Sequence, residues 1–375
     1  MRTTAGGSPD VVVIGAGVVG CAVARVAARA GMRVTVIERG APGAEASHAA
    51  AGMLSPLAEA SAPGPFLDLL LAARERYPAV SAELRDEAGV DVGYSDAGTL
   101  YLSLREEDDA ELEKRFAWQA PLGLGVERLT AGEARALEPR VSPAARMALR
   151  FPGDHQVDNR VLSAALWTAA ARAGARFLLG DEVAALRRDG GRVTGVELAS
   201  GERLAAGRVV VAGGAWAGAL GGLPRALPVV PVHGQLLALR GDPGFFRHVV
   251  DSPRCYLVPR ADGRVIAGAT VERTGYAKTV TPWGLRRLLD GAVEIAPELE
   301  RVAFAEAWAG LRPGTPDGLP IIGRDPEVEG LIYATGHYRN GILLAPLTGD
   351  VVGALLRDHA PDVDLAPYAI DRFAA

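Results

Sequence analysis

Cysteine is nearly missing from this chain of 375 residues. It has two, Cys21 and Cys255, far apart and with no CxxC or Cys/His spacing. That pattern excludes a disulfide framework and a zinc site, and a reducing cytoplasm is the compartment it fits. A basic excess is missing too: 40 Lys and Arg stand against 45 Asp and Glu, a net charge of -5, and no Lys/Arg run or basic amphipathic stretch occurs. Nucleic acid and membrane surfaces therefore drop out as partners. Histidine is scarce. His48, His233 and His337 have no carboxylate or second histidine at ligand spacing, so no metal is expected and each reads as a structural histidine. Neither an internal repeat nor a low-complexity tract is present.

An unbroken apolar span is also lacking. VVVIGAGVVGCAVARVAA (residues 11–28) comes nearest, but Gly15, Gly17 and Gly20 interrupt it and Arg25 and Arg29 fall where a membrane span needs apolar residues. No basic segment of consequence precedes it, so it is expected to be neither a signal peptide nor an anchor.

What is there describes a globular chain long enough for two domains, 49% hydrophobic and 23% charged. Residues 10–14 are β-branched, 18–30 have helical length with Gly31 as the stop, and 33–38 are again strand-like, which makes one βαβ unit. A long amphipathic helix is predicted over 68–87, a strand over 98–104, an exposed charged helix directly after it, and a helix over 159–173. Short strands follow to about residue 216, and VVPVHGQLLALR, CYLVPR and GRVIAGAT suit antiparallel pairing. GLIYATG and a helix beginning near Ile342 close the chain. The expected fold is α/β: a Rossmann-like nucleotide-binding domain assembled from discontinuous segments (1–88, 153–222 and 305–375), plus a second, antiparallel-sheet-rich substrate domain (89–152 and 223–304). A ligand cleft is expected between them.

GAGVVG, Gly15 to Gly20, follows a strand and opens a helix, and Glu38 ends the next strand. In a dinucleotide site Gly15 makes the tight turn, Gly17 lets backbone approach a pyrophosphate, and Gly20 lets helix and strand pack closely. The helix N-terminus favours phosphate and Glu38 accepts from ribose hydroxyls. This motif alone does not separate FAD from NAD. GAEASHAAAGML, 43–54, is a run of small residues that reads either as a surface loop or as backbone lying against an isoalloxazine ring.

GHYRNGILLAP, Gly336 to Pro346, places Arg339 between a glycine turn and an apolar helix. A guanidinium buried there requires an anion or several acceptors. Arg312 follows the strand-like WAGL and precedes Pro313 and Gly314, a position that suits either a cleft-facing carboxylate fork or an interdomain salt bridge. Tyr256 of CYLVPR has the alternative reading of a half-buried strand aromatic, Trp216 and Trp308 read as core residues, and neither cysteine has a neighbouring base to make a thiolate.

VVVIGAGVVG, AAAGML, CYLVPR, WAGLRPGTPDGLPIIG and GHYRNGILLAP run from one end of the chain to the other. Together they make it resemble the FAD-dependent D-amino acid oxidase family of sarcosine and glycine oxidases, and within it the glycine oxidase type of thiamine biosynthesis. The resemblance implies that Arg312 and Tyr256 bind a substrate carboxylate and that Arg339 lies at flavin and substrate. It further implies FAD contacts from Val18, Val19, Glu38, Arg39, Ala46, Ser47, Ala51, Gly52 and Met53, from Val183 at the adenosine half, and from His337, Tyr338, Arg339, Asn340, Gly341, Ile342 and Leu343 beside the ring. No cysteine stands beside GLRPGTPD, so the FAD is expected to be non-covalent.

On the same resemblance, a small amino acid and O2 are the substrates, a homotetramer is expected, and a thiazole synthase is a candidate partner. Hydride leaves Cα for flavin N5 as the amine lone pair pushes, without a protein base, and the products are an imine or 2-oxo acid, ammonia and hydrogen peroxide. Two departures bear on substrate range: Arg254, where family members can carry histidine, and Ser55 after AGML. The competing readings are a sarcosine oxidase or D-amino acid dehydrogenase that uses another electron acceptor, and a non-catalytic FAD-binding scaffold.

Overall fold

The computed structural model describes residues 8–373. The β-branched run Val11–Ile14 is wholly buried and lies in the middle of a six-stranded sheet, between Val34–Glu38 and Val209–Val211. Arg176–Leu179 and Leu331–Thr335 extend the sheet on either side in the parallel sense, and Ile321–Arg324 adds an antiparallel edge. Such a sheet is buried on both faces, which is why its strands read as continuous apolar runs rather than alternating ones. Helices Val18–Arg29, Asn159–Arg172 and Gly341–Leu356 cover it and share one apolar core with it. The Rossmann-like α/β architecture expected from the βαβ signal is present, with the helices on one face of the sheet and apolar residues of a small antiparallel sheet, such as Leu186 and Val196, against the other.

An eight-stranded, mostly antiparallel sheet forms the second layer system. Its order runs Ala303–Gly314, Val230–Arg240, Arg264–Gly268, Tyr256–Pro259, Val249–Asp251, Thr99–Ser103, Met147–Phe151, Glu127–Thr130. One pair, Val249–Asp251 with Thr99–Ser103, is parallel. The segment DEVAALRRD and its successors form a separate three-stranded antiparallel sheet.

Two expectations change. The helix read over 68–87 is two helices, Pro65–Glu75 and Tyr77–Ala88, because Pro78 has no N–H to donate and its ring crowds the preceding turn. The boundary at 305 falls inside the strand Ala303–Gly314, which pairs along its length with Val230–Arg240 and so belongs to the antiparallel sheet. Residues 1–7 and 374–375, at the outer limits of the expected nucleotide-binding segments, lie outside the described residues.

Candidate active site

A cavity of about 580 Å3 lies where the glycine loop of the first sheet faces the second sheet. On one side are Gly17, Val18 and Val19 at the start of the first helix. Two positions around the start of that helix tolerate no side chain: Gly15 has φ +98° and a Cβ on it would sit 2.6 Å from Ala212 O, and one on Gly20 would sit 2.0 Å from Gly15 O. Helix and strand therefore approach as a dinucleotide turn requires. The carboxylate of Glu38 ties this loop together, accepting from Ala16 N and Gly40 N at 2.9 Å each. Each oxygen retains acceptor capacity for a hydroxyl. Gly15, Gly20, Glu38, Arg39, Val183 and Leu343 are outside the cavity wall. Val183 packs in the apolar core with Ile37 and Val12, and Leu343 is buried in the last helix.

The small-residue run forms the cavity wall through Ala46, Ser47, Ala49, Ala50, Ala51, Gly52 and Met53. Its backbone is held rather than loose. Ser47 Oγ accepts from Val18 N at 2.9 Å, Asn159 Nδ2 donates to Ser47 O and His48 O at 2.8 and 3.1 Å, and Trp308 Nε1 donates to Ala49 O at 3.1 Å. Arg260 Nη2 donates to Ala51 O at 2.7 Å and to Asn159 Oδ1 at 3.0 Å. Asn159 and Arg260 carry this wall and were missed in the sequence, although Arg260 closes the CYLVPR motif. A buried cation so close to a functional motif was the available signal. Trp308 is a half-buried brace rather than core, with Arg160 over its ring. Trp216 is also half-buried, stacked on Tyr276 and covered by Arg39 at 3.7 Å from its ring centre.

The opposite wall comes from the antiparallel sheet. Arg312 donates through Nη1 to Thr270 O at 3.1 Å and to His233 O at 3.4 Å. Among the described residues no carboxylate lies within ion-pair distance of it, and burial lowers its pKa. Its fork thus remains available to an anionic ligand. The Tyr256 ring lies over Gly268, where a Cβ would be 2.4 Å from its hydroxyl. Burial pushes that phenol up to about 12, which keeps it protonated and able to donate. Arg339 also lines the cavity, but its side chain is 40% exposed and pairs with Glu59 at 2.7 Å. The anion that this arginine requires is thus a residue of the chain, on the short helix Pro56–Glu59, and the ion pair raises the Arg339 pKa further.

His337, Tyr338, Asn340, Gly341 and Ile342 complete this end of the cavity. Tyr338 takes a left-handed backbone, φ +45°, and its N–H donates to Pro313 O at 3.0 Å, which joins the two arginine-bearing segments. The His337 side chain turns away into the last helix, with Nε2 3.0 Å from Thr348 Oγ1.

Arg254 has no free fork to offer a substrate. It is clamped bidentately to Asp108 at 2.8 and 2.7 Å and to Glu294 at 2.8 Å. Ser55 is buried in the wall, 3.4 Å from Thr99 Oγ1. Cys255 is buried with its thiol pushed up to about 12, and Cys21 is buried in the first helix.

A flavin dinucleotide fits this arrangement on two grounds. Only glycine can occupy positions 15 and 20 around the helix start, and a wall of small side chains lets a flat ring approach backbone. Gly17, Val18, Val19 and the 46–53 run would hold it.

Residues 10–355 match the DAO family of FAD-dependent oxidoreductases. The chain is similar to the glycine oxidase of Geobacillus kaustophilus, 39% identical over 97% of both chains. A crystal structure of glycine oxidase from the same species superimposes with a TM-score of 0.93 at 38% identity, covering 97% of this chain and 98% of that one. The bifunctional protein ThiO/ThiG of a Synechocystis strain is 39% identical over 100% of this chain, which spans 55% of that longer protein. The chain belongs to the DAO family of FAD-dependent oxidoreductases, and within it to the FAD-dependent amino acid oxidases of the glycine oxidase type.

Proposed function

We propose that the protein oxidatively deaminates glycine, and with it sarcosine and small D-amino acids. The observation that carries this reading is the Arg312 guanidinium, positioned by two backbone carbonyls, unpaired with any carboxylate among the described residues, and facing a cavity it shares with the glycine loop. Arg312 and the protonated Tyr256 hydroxyl together hold a substrate carboxylate. Each charge-assisted bond of that kind contributes about 1.5–3 kcal/mol. Bound FAD supplies the hydride acceptor, and its reoxidation by O2 gives hydrogen peroxide.

The chain's part is orientation. Two fixed donors hold the acid group, the small-residue wall leaves Cα room beside the flavin, and no acid/base dyad is required because the neutral amine's lone pair drives hydride loss. Water then converts the imine to a 2-oxo acid and ammonia. The glyoxylate imine formed from glycine suits thiazole assembly for thiamine, and the fused ThiO/ThiG relative supports a thiazole synthase as partner. A cytoplasmic homotetramer with non-covalent FAD completes the reading, and two buried free cysteines agree with a reducing compartment.

Anaerobic glycine should bleach the yellow holoprotein, and admitting air should restore the colour with release of peroxide. Bleaching without peroxide, or by sarcosine or D-alanine alone, would favour an enzyme with another acceptor or substrate. Failure of every small amino acid to bleach it would refute the proposal.

A further inference from the structure

We propose that Asp251 binds the positive end of a diamino acid whose carboxylate rests on Arg312 and Tyr256, so that the protein prefers small D-amino acids with a side-chain ammonium over uncharged ones of equal length. This rests on the amino acid oxidase reading above and specifies its substrate class.

The placement follows from strand register. Asp251 pairs directly with Tyr256 on one neighbouring strand and with Tyr101 on the other, while Tyr256 pairs with Gly268 and Gly268 with Leu236. Residues directly opposite one another put their side chains on the same face of a sheet. That row faces the cavity, and all five of these residues line it. Arg312 enters the same face from farther along, its guanidinium lying over Gly234. From the strand of Gly234 to that of Asp251 there are three strand spacings, roughly 14 Å. Arg312 and Asp251 each cover part of that span, and a ligand bridging them needs several methylenes between its two charges.

Asp251 is also a carboxylate in this wall without an ion-pair partner among the described residues, although the charges of Arg339 and Arg115 act on it from farther away. Its side chain accepts one hydrogen bond, from Ser252 N at 2.8 Å, and no cation of the described residues reaches ion-pair distance. Its charged neighbours are engaged elsewhere: Glu59 and Arg339 with each other at 2.7 Å, Arg115 with the carbonyls of Leu57, Ala58 and Ala60, and Arg254 with Asp108 and Glu294. Tyr101 donates to Glu111, and the Cys255 thiol is held neutral by burial.

Burial first, and the Glu59 charge second, push the Asp251 carboxyl up to about 7. An arriving ammonium would favour the ionised form, so the preference should strengthen as pH rises through that value and fade only as the ligand amine itself loses its proton near 10.

The test uses FAD-loaded protein and three matched pairs: D-2,4-diaminobutyrate with D-2-aminobutyrate, D-ornithine with D-norvaline, and D-lysine with D-norleucine. At pH 8 at least one diamino member should exceed its partner tenfold or more in kcat/KM. Asp251→Asn should reduce that ratio below twofold. In the unaltered protein the same ratio should shrink at pH 6, a readout that does not depend on the variant folding. Ratios below twofold for all three pairs, or a ratio unchanged in Asp251→Asn, would overturn the inference. Glycine in the same assay separates the two claims: its turnover with flat ratios sinks only the role of Asp251, whereas no turnover of any amino acid sinks the oxidase reading.

Discussion

The Arg312 guanidinium occupies the space where a Gly234 side chain would be, with Nη1 2.2 Å from the position of a Cβ on that glycine. The two residues sit on paired strands, and Gly234 is the next same-face neighbour along from Val232, the direct partner of Arg312. The missing methyl on one strand is thus what lets the arginine on the next lie flat in the cavity.

Gly234→Ala should therefore weaken substrate fixation without unfolding the protein. The added methyl meets the end of a flexible side chain rather than backbone, so Arg312 moves aside at little cost to the sheet. Loss of one or two charge-assisted bonds, about 3 kcal/mol, corresponds to a fall in kcat/KM for glycine of roughly 100-fold. Simple carboxylate inhibitors should weaken in parallel while the melting temperature changes little. Steady-state kinetics within twofold of the parent would show that Arg312 does not need that space.

Much of this architecture was legible because it rests on local rules. The turn of Gly15 and Gly20 forbids any Cβ, so the glycine spacing could be read directly, and the β-branched 11–14 run announces a strand buried on both faces. The split at Arg76 was hidden because the apolar stripe continues across it and only Pro78 marks the break. The partner of Arg339 was hidden for a different reason: Glu59 is 280 residues away, and nothing local to either residue announces the pairing. Asn159 and Arg260 escaped likewise, since a side chain that braces a distant backbone leaves no periodicity behind.

Arg260 is the strongest lever on the cavity wall that touches neither substrate nor reacting atoms. Its side chain is 7% exposed, and burial lowers its pKa to about 10 against the opposing charge of Asp158 at 3.6 Å, while the carbonyl of Ala51 and the amide oxygen of Asn159 accept hydrogen bonds from it. Arg260→Ala leaves those acceptors unpaired, at about 1–3 kcal/mol each. The expected result is a loss of FAD affinity of tenfold or more, read by titrating apoprotein with FAD and following fluorescence quenching. Arg260→Lys should recover part of it, because one ammonium can still reach one acceptor. Unchanged affinity in both variants would remove Arg260 from the support of the wall.

His337 gives the fold an acid-sensitive element. It is 3% exposed, and burial lowers its pKa to about 4. An unfolded histidine titrates near 6.5. Between these values the unfolded chain binds a proton that the folded one refuses, so stability is complete above about pH 6.5 and falls as pH drops, until the folded form is protonated too. The full effect is about 3 kcal/mol, of which about 2 kcal/mol is lost by pH 5. His337→Gln keeps a polar group near Thr348 but cannot gain the proton. In urea denaturation with saturating FAD, the stability of the parent relative to this variant should therefore fall by about 2 kcal/mol between pH 7.5 and pH 5. Common titrating carboxylates cancel in that difference. A difference that stays constant across the range would mean that His337 is protonated alike in both states, and that its burial beside the last helix carries no proton-linked cost.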